Sequence, residues 1–265
     1  VDVFVRLLNA LLMMGVPIGL GVYLARKHGG AWRLFVVGGV TFVASQVLHL
    51  PFNSRVLVPL LENVGWMQGT ALGQQIGLAV ALGLSAGIFE EVARYVVLRW
   101  WQRDLRTWRQ GMMFGAGHGG TEAILLGFLA LYALLQAVAY RNVDLSGVVP
   151  PEALQTAQAQ LEAYWSLPWY ASMLGALERI FTLVFHIAAA LLVLQVFTRG
   201  GLHWLLAAVM WHTCTDAAAV FVAANWGVYA AEGALLIISG LSLAVVWYLR
   251  PRTEASPEEV PGDAP

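Results

Sequence analysis

The sequence predicts an all-α fold, a polytopic transmembrane bundle of about seven helices with one short extracytoplasmic helix. Three observations predict it. Of 265 residues, 59% are hydrophobic and only 12% charged, about half the charged share of an ordinary globular chain. The mean hydropathy is +0.68. Apolar runs of about 20 residues or more recur along the chain, each long enough to cross a bilayer. No polar linker is long enough to separate a pair of domains, so residues 1–250 read as one bundle. The acidic, Pro-rich segment 251–265 reads as a disordered tail. A net charge of -1 points away from nucleic acid and leaves membrane lipid as the expected surrounding. Cys214 is the single cysteine, which excludes an intrachain disulfide.

The first span, Val3–Ala25, has no basic leading region and no small-residue cleavage site, and so reads as a mature helix rather than a signal peptide. The others are expected at Trp32–Leu50, Thr70–Trp101, Trp108–Tyr140, Trp169–Phe197, Leu202–Trp226 and Tyr229–Leu249. Several exceed the length a bilayer needs, so tilts, kinks or protruding ends are expected. Trp32, Trp101, Trp169 and Trp226 at span ends suit an interfacial belt, and His49, near the end of the second span, is expected to face the interface too. Between the fourth and fifth spans a short helix, Pro151–Trp165, is expected because Pro and Glu occupy its first turn. Glycine-rich patches at Gly15–Gly21 and Gly115–Gly120 suit close helix contact.

Orientation follows from the basic residues. One set of connections carries Arg26, Lys27, Arg33, Arg99, Arg103, Arg106, Arg109, Arg199, Arg250 and Arg252, whereas the other carries only Arg6, Arg55 and Arg141. The positive-inside rule therefore predicts an N-terminus outside and a C-terminus inside.

The chemistry is expected where charge interrupts the apolar runs. A charged residue at a helix centre costs about 2.5–3.5 kcal/mol on insertion scales, yet Glu90, Glu91 and Arg94 share one span. The fourth span adds His118 and Glu122, the fifth Glu178, Arg179 and His186, and the sixth His212 and Asp216. Glu90/Arg94, His118/Glu122 and His212/Asp216 are each four residues apart, which puts each pair on one helix face. Counted at 1.5 Å per residue from the basic ends, Glu90, His118, His186 and His212 all lie about 13–17 Å deep. Four helices would then bring them to one hydrated hollow below the inner leaflet's surface. Glu122 and Asp216 come about one turn deeper and Arg94 about one turn shallower. Glu91 points about 100° away from Glu90 and is expected to pair structurally. Glu178 is expected to pair with Arg179 or another helix. His186 alone reads equally well as an interhelical hydrogen bonder, Arg94 reads as an ion-pair partner, and Thr121 and Cys214 read as packing residues.

These motifs resemble the glutamate-type intramembrane proteases related to the CAAX prenyl endopeptidases (the ABI family of bacteria), and within that group the YhfC membrane peptidases, with PrsW proteases more distant. The family pattern is a double Glu followed by Arg, then Phe-x-x-x-His, then His-x-x-x-Asn or Asp. Here these are Glu90-Glu91 with Arg94, Phe114 to His118, and His212 to Asp216. The arginine stands one position sooner than in the CAAX enzymes, and Asp216 stands where the family often has Asn. The resemblance implies an integral protein of a bacterial cytoplasmic membrane that hydrolyses a membrane-associated peptide or protein. Glu90 with His118 would activate water and His212 would stabilise the oxyanion. Asp216 would orient His212 or hold a metal, and Glu91, Arg94, Glu122 and His186 would support.

No cofactor is required in that reading. A zinc-dependent variant would use His118, Glu122, His186, His212 and Asp216 as ligands and Glu90 as base. A proton- or ion-coupled transporter is the rival from another class, and a non-catalytic scaffold is the third reading.

Overall fold

Apolar helices of membrane-crossing length dominate the computed structural model, which describes residues 2–28 and 32–251. Seven such spans are present among the described residues. They are built from α1 (Asp2–His28), α2 (Trp32–Phe52) with α3 (Val58–Asn63), α4 (Leu72–Val96), α5 (Trp108–Tyr140), α7 (Leu174–Thr198), α8 (His203–Trp226) and α9 (Val228–Tyr248), while α6 (Pro151–Ser166) is the short amphipathic helix. The all-α bundle and its short extra helix are as the sequence predicts. The expected disordered tail, apart from Pro251, lies outside the described residues.

The second span is longer than expected. The sequence predicts a stop at Leu50, but α2 runs through Pro51 into a π-helical turn, Asn53–Leu57, and on into α3 as far as Asn63. Proline lacks the N–H that an α-helix needs and crowds the preceding turn. A local widening to π geometry accommodates such a defect without ending the helix. Pro59 then falls in the first turn of α3, where a missing N–H costs nothing.

Sequence-encoded stops and starts explain several other ends. Thr107 and Gln110 form a reciprocal cap that opens α5, with Thr107 Oγ1 accepting from the Gln110 amide at 3.3 Å and Gln110 Oε1 from the Thr107 amide at 3.0 Å. Gly227, at φ 83°, makes the one-residue turn between α8 and α9 that a side chain would resist. The α6 helix is held to the bundle by Arg6 over Tyr164 (4.3 Å) and Arg141 over Trp165 (4.4 Å).

Association of apolar helices in lipid rests on close packing rather than on expulsion of water. Glycines supply it where the site forms. A Cβ on Gly38 would lie 2.1 Å from the Phe114 carbonyl oxygen, and one on Gly117 would lie 2.0 Å from that of Phe35, so α2 and α5 touch backbone to backbone. Gly83 and Gly87 do the same for α4 against α8, where added Cβ atoms would lie 2.7 Å and 2.9 Å from the Thr213 and Val209 oxygens. These contacts turn Glu90 towards both His118 and His212. A dense apolar core that includes Leu98, Leu105, Met112, Leu194, Ala208 and Leu249 fills the bundle at the end where α4 stops and α5 begins.

Candidate active site

One oxygen of Glu90 is the centre of the buried polar cluster. Its Oε2 lies 3.0 Å from His118 Nε2, 3.5 Å from an Arg94 guanidinium nitrogen, and 4.0 Å from both His186 Nδ1 and His212 Nε2. Four helices deliver these groups, α4, α5, α7 and α8, as the depth count predicts. Glu90 Oε1 accepts a hydrogen bond from Gln46 Nε2 at 3.0 Å.

A second layer fixes the rings. A carboxylate only accepts, so each imidazole nitrogen bonded to one carries a proton. His212 Nδ1 donates to Glu91 Oε1 at 2.7 Å, and His186 Nε2 donates to Glu122 Oε2 at 2.7 Å. That leaves His186 Nδ1 to accept from Arg94 Nη2 at 2.8 Å. Arg94 also pairs directly with Glu91, and both side chains are fully buried. Asp216 Oδ2 lies 3.5 Å from His212 Nε2. Arg179 bridges Glu122 (2.6 Å) and Glu178, the pairing expected for Glu178. Glu91 and Arg94 are thus ion-paired with each other.

The cluster opens on a hollow of about 350 Å³ whose lining includes Glu90, Glu122, His186, His212 and Asp216. The apolar core lies towards the basic end, and the lining of the hollow runs the other way to Glu178, Arg179, Ala219 and Val220. A cavity of about 380 Å³ under α6 is lined by Tyr140, Leu145 and Tyr164 among others and contains no carboxylate or imidazole, so the chemistry belongs to the former.

The sequence profile of the YhfC intramembrane metalloprotease family matches residues 12–238. The chain belongs to that family. It is 32% identical over 255 residues to the uncharacterized membrane protein YhfC of Bacillus subtilis (strain 168), a match that covers 94% of this chain and 95% of the relative. No solved structure matches the chain. The protein is thus an integral membrane member of an intramembrane protease family, as the resemblance implies.

The family name raises the question of a metal, and the donor set answers in its favour. Among the described residues, ligand atoms of Glu90, His118 and His186 lie within 4.8 Å of one another. Two imidazoles and a carboxylate are a set that catalytic zinc takes. Glu122 braces His186 in the way that carboxylates brace metal-bound histidines. Four carboxylates, Glu90, Glu122, Glu178 and Asp216, line the hollow beside the guanidinium of Arg179, a surplus of negative charge that suits a dication. Arg94 Nη2 shares the His186 Nδ1 lone pair, so a metal and the guanidinium compete for that atom. The grouping differs from the ligand set expected from sequence. Glu122 bonds His186 Nε2 and Asp216 lies 3.5 Å from His212 Nε2, whereas Glu90 is the carboxylate grouped with His118 and His186.

Sequence reasoning missed four residues hydrogen-bonded in series to Glu90. From Glu90 a hydrogen-bonded chain runs through Gln46, then to His49 Nδ1 (3.3 Å), from His49 Nε2 to Asn53 (3.0 Å), and to Ser85 (2.7 Å). His49 does not face the interface as expected; it is buried, stacks on Phe89 at 5.3 Å between ring centres and lines the hollow. The reason is the longer second span, which leaves His49 inside a helix rather than at its end. The signal was present, since Gln46, His49 and Asn53 are three and four apart and so share a face of an apolar helix. Thr121 packs against Gly39 and Cys214 is exposed, outside the site.

Proposed function

We propose that the chain is an intramembrane endopeptidase that hydrolyses a peptide bond of a membrane-associated peptide or protein, with water activated at Glu90. The observation that carries this reading is the convergence on Glu90 Oε2 of three imidazoles and a guanidinium at 3.0–4.0 Å beside an open hollow. Glu90 takes the proton of the attacking water and passes it to the amide nitrogen as the C–N bond breaks, and His118 Nε2 steadies the carboxylate meanwhile. General-base help of this kind is worth about 10²–10⁴-fold. Gln46 holds the other carboxylate oxygen, which keeps Oε2 turned to the hollow. His212, set by Glu91 on one nitrogen and beside Asp216 on the other, faces the hollow to stabilise charge on the scissile carbonyl oxygen. Asp216 orients His212, because an ionised carboxylate has no proton to offer an oxyanion.

In a metal-bound alternative, Glu90, His118 and His186 would hold a zinc ion, with Glu90 then a ligand instead of the base and Glu122 supporting His186. When bound, it would polarise the carbonyl and lower the pKa of its water. The basic connections support an N-outside, C-inside orientation. Incubation of the purified protein in proteoliposomes with candidate membrane peptides in H₂¹⁸O tests the reading. New termini with ¹⁸O in the carboxyl group, absent for His118→Ala, are expected. Cleavage that persists in His118→Ala, or that leaves a hydroxylamine-trappable acyl-enzyme, contradicts it.

A further inference from the structure

The hollow has a direction. Side-chain exposure rises along it, from His118 (0%), His186 (4%) and Glu90 (7%) through Glu122 (22%) to Asp216 (36%) and Glu178 (38%). Glu178 lies about 12 Å from His186 along α7, towards its N-terminal end. Asp216 and Ala219 lie beyond His212 on α8, towards the turn at Gly227. Both steps lead to the end of the bundle that carries the α5–α6 and α8–α9 connections. At the other end Leu98, Met112, Leu194 and Ala208 are buried in the apolar core, and none of them lines the hollow. A buried acid that must meet water and a peptide carbonyl needs a wet path, and burial of polar groups without one is costly.

We infer that water and substrate reach Glu90 from the side of the α5–α6 connection, so that the substrate is a membrane-anchored peptide or protein whose scissile segment enters from that half of the bilayer. This rests on the protease reading for the word substrate, but not for the path. Under the positive-inside rule that half is the extracytoplasmic one, opposite the connections carrying Arg99, Arg103, Arg106 and Arg109. The recognised segment is then the stretch of a span, or its flank, that emerges on the outer side. The walls that it passes include Thr182, Thr215 and Asp216 as well as Phe185, Ala219 and Val220, a mixture that suits a peptide backbone carrying apolar side chains.

The test reads access without catalysis. In a Cys214→Ala background, single cysteines are placed at Thr182 and Ala219 in the hollow. Others go at Ala208 in the core, Asn142 in the α5–α6 connection and Arg103 in the α4–α5 connection. A membrane-impermeant maleimide is applied to right-side-out and to inverted vesicles. Thr182→Cys and Ala219→Cys are expected to label in whichever vesicles label Asn142→Cys, and to lose labelling in those that label Arg103→Cys. Ala208→Cys stays unlabelled in both. Labelling of the hollow from the Arg103 side, or from neither side, overturns the inference. The Glu90→Gln protein should label in the same pattern. If it does yet cleaves at full rate, the protease chemistry fails and the path stands. If Glu90→Gln is inactive but Thr182→Cys labels from the Arg103 side, the path fails and the chemistry stands.

Discussion

Leucine at position 46 keeps the side chain's bulk and removes the hydrogen bond that Gln46 Nε2 donates to Glu90 Oε1 at 3.0 Å. Hydrogen bonds to charged groups are worth about 1.5–3 kcal/mol net. If that free energy holds Glu90 in its reacting rotamer, its loss slows turnover by about 10- to 150-fold, at a factor of ten per 1.36 kcal/mol. Gln46 does not line the hollow, so KM should stay within about twofold while kcat falls, the pattern of an interaction felt in the transition state. Towards Glu90, His49 acts through Gln46, whose oxygen its Nδ1 bonds at 3.3 Å. His49→Leu should therefore cost less than Gln46→Leu, and the double variant no more than Gln46→Leu alone, a non-additivity that marks residues in one network. The assay is steady-state cleavage of a verified substrate in proteoliposomes, beside thermal unfolding of each variant to show that the fold is kept. Wild-type kcat in Gln46→Leu, a loss carried by KM, or simple additivity with His49→Leu would refute the reasoning.

Arg94→Met should destabilise by about 3–5 kcal/mol, because it leaves Glu91 charged and fully buried without its guanidinium. The double variant Glu91→Gln/Arg94→Met should recover some of that loss in the same thermal melts. Gly38→Ala should lower the unfolding temperature, at a cost of about 1–3 kcal/mol for overpacking α2 against α5. Gly15→Ala, whose added methyl meets nothing within 4 Å, should hold or gain up to about 1 kcal/mol from helix propensity. For the metal, zinc titration of the purified protein followed by elemental analysis should find one equivalent bound, lost in His118→Ala and in His186→Ala. Glu122→Gln should weaken binding by about 10- to 100-fold, and an equivalent retained in both histidine variants would disprove the ligand assignment.

The bundle was legible because bilayer thickness leaves little choice. An apolar run of sufficient length must be a helix, since only helices and closed barrels satisfy their backbone in lipid. The convergence of Glu90, His118, His186 and His212 was legible for a related reason: helical rise is fixed, so depth can be counted from the basic ends. Rotation about each axis cannot be counted that way. The i, i+4 spacing of His118 and Glu122 put both on one face of α5, yet Glu122 bonds His186 and Arg179 of α7 instead. The end of the second span was misjudged because Pro51 is a helix breaker in water, whereas here a π turn absorbs it. That error placed His49 at the interface and hid the Gln46–His49–Asn53 chain. The direction of the hollow was beyond sequence reasoning altogether, because it depends on which ends of the helices pack tightly and which splay open.

The central claim is that Glu90 activates the attacking water. Glutamine keeps the shape of the side chain but cannot accept a proton, so single-turnover cleavage by Glu90→Gln in proteoliposomes, at saturating substrate, is the most direct measurement. The rate should fall by about 10²–10⁴-fold with the fold and substrate binding intact. A Glu90→Gln protein that cleaves at the wild-type rate would contradict the account.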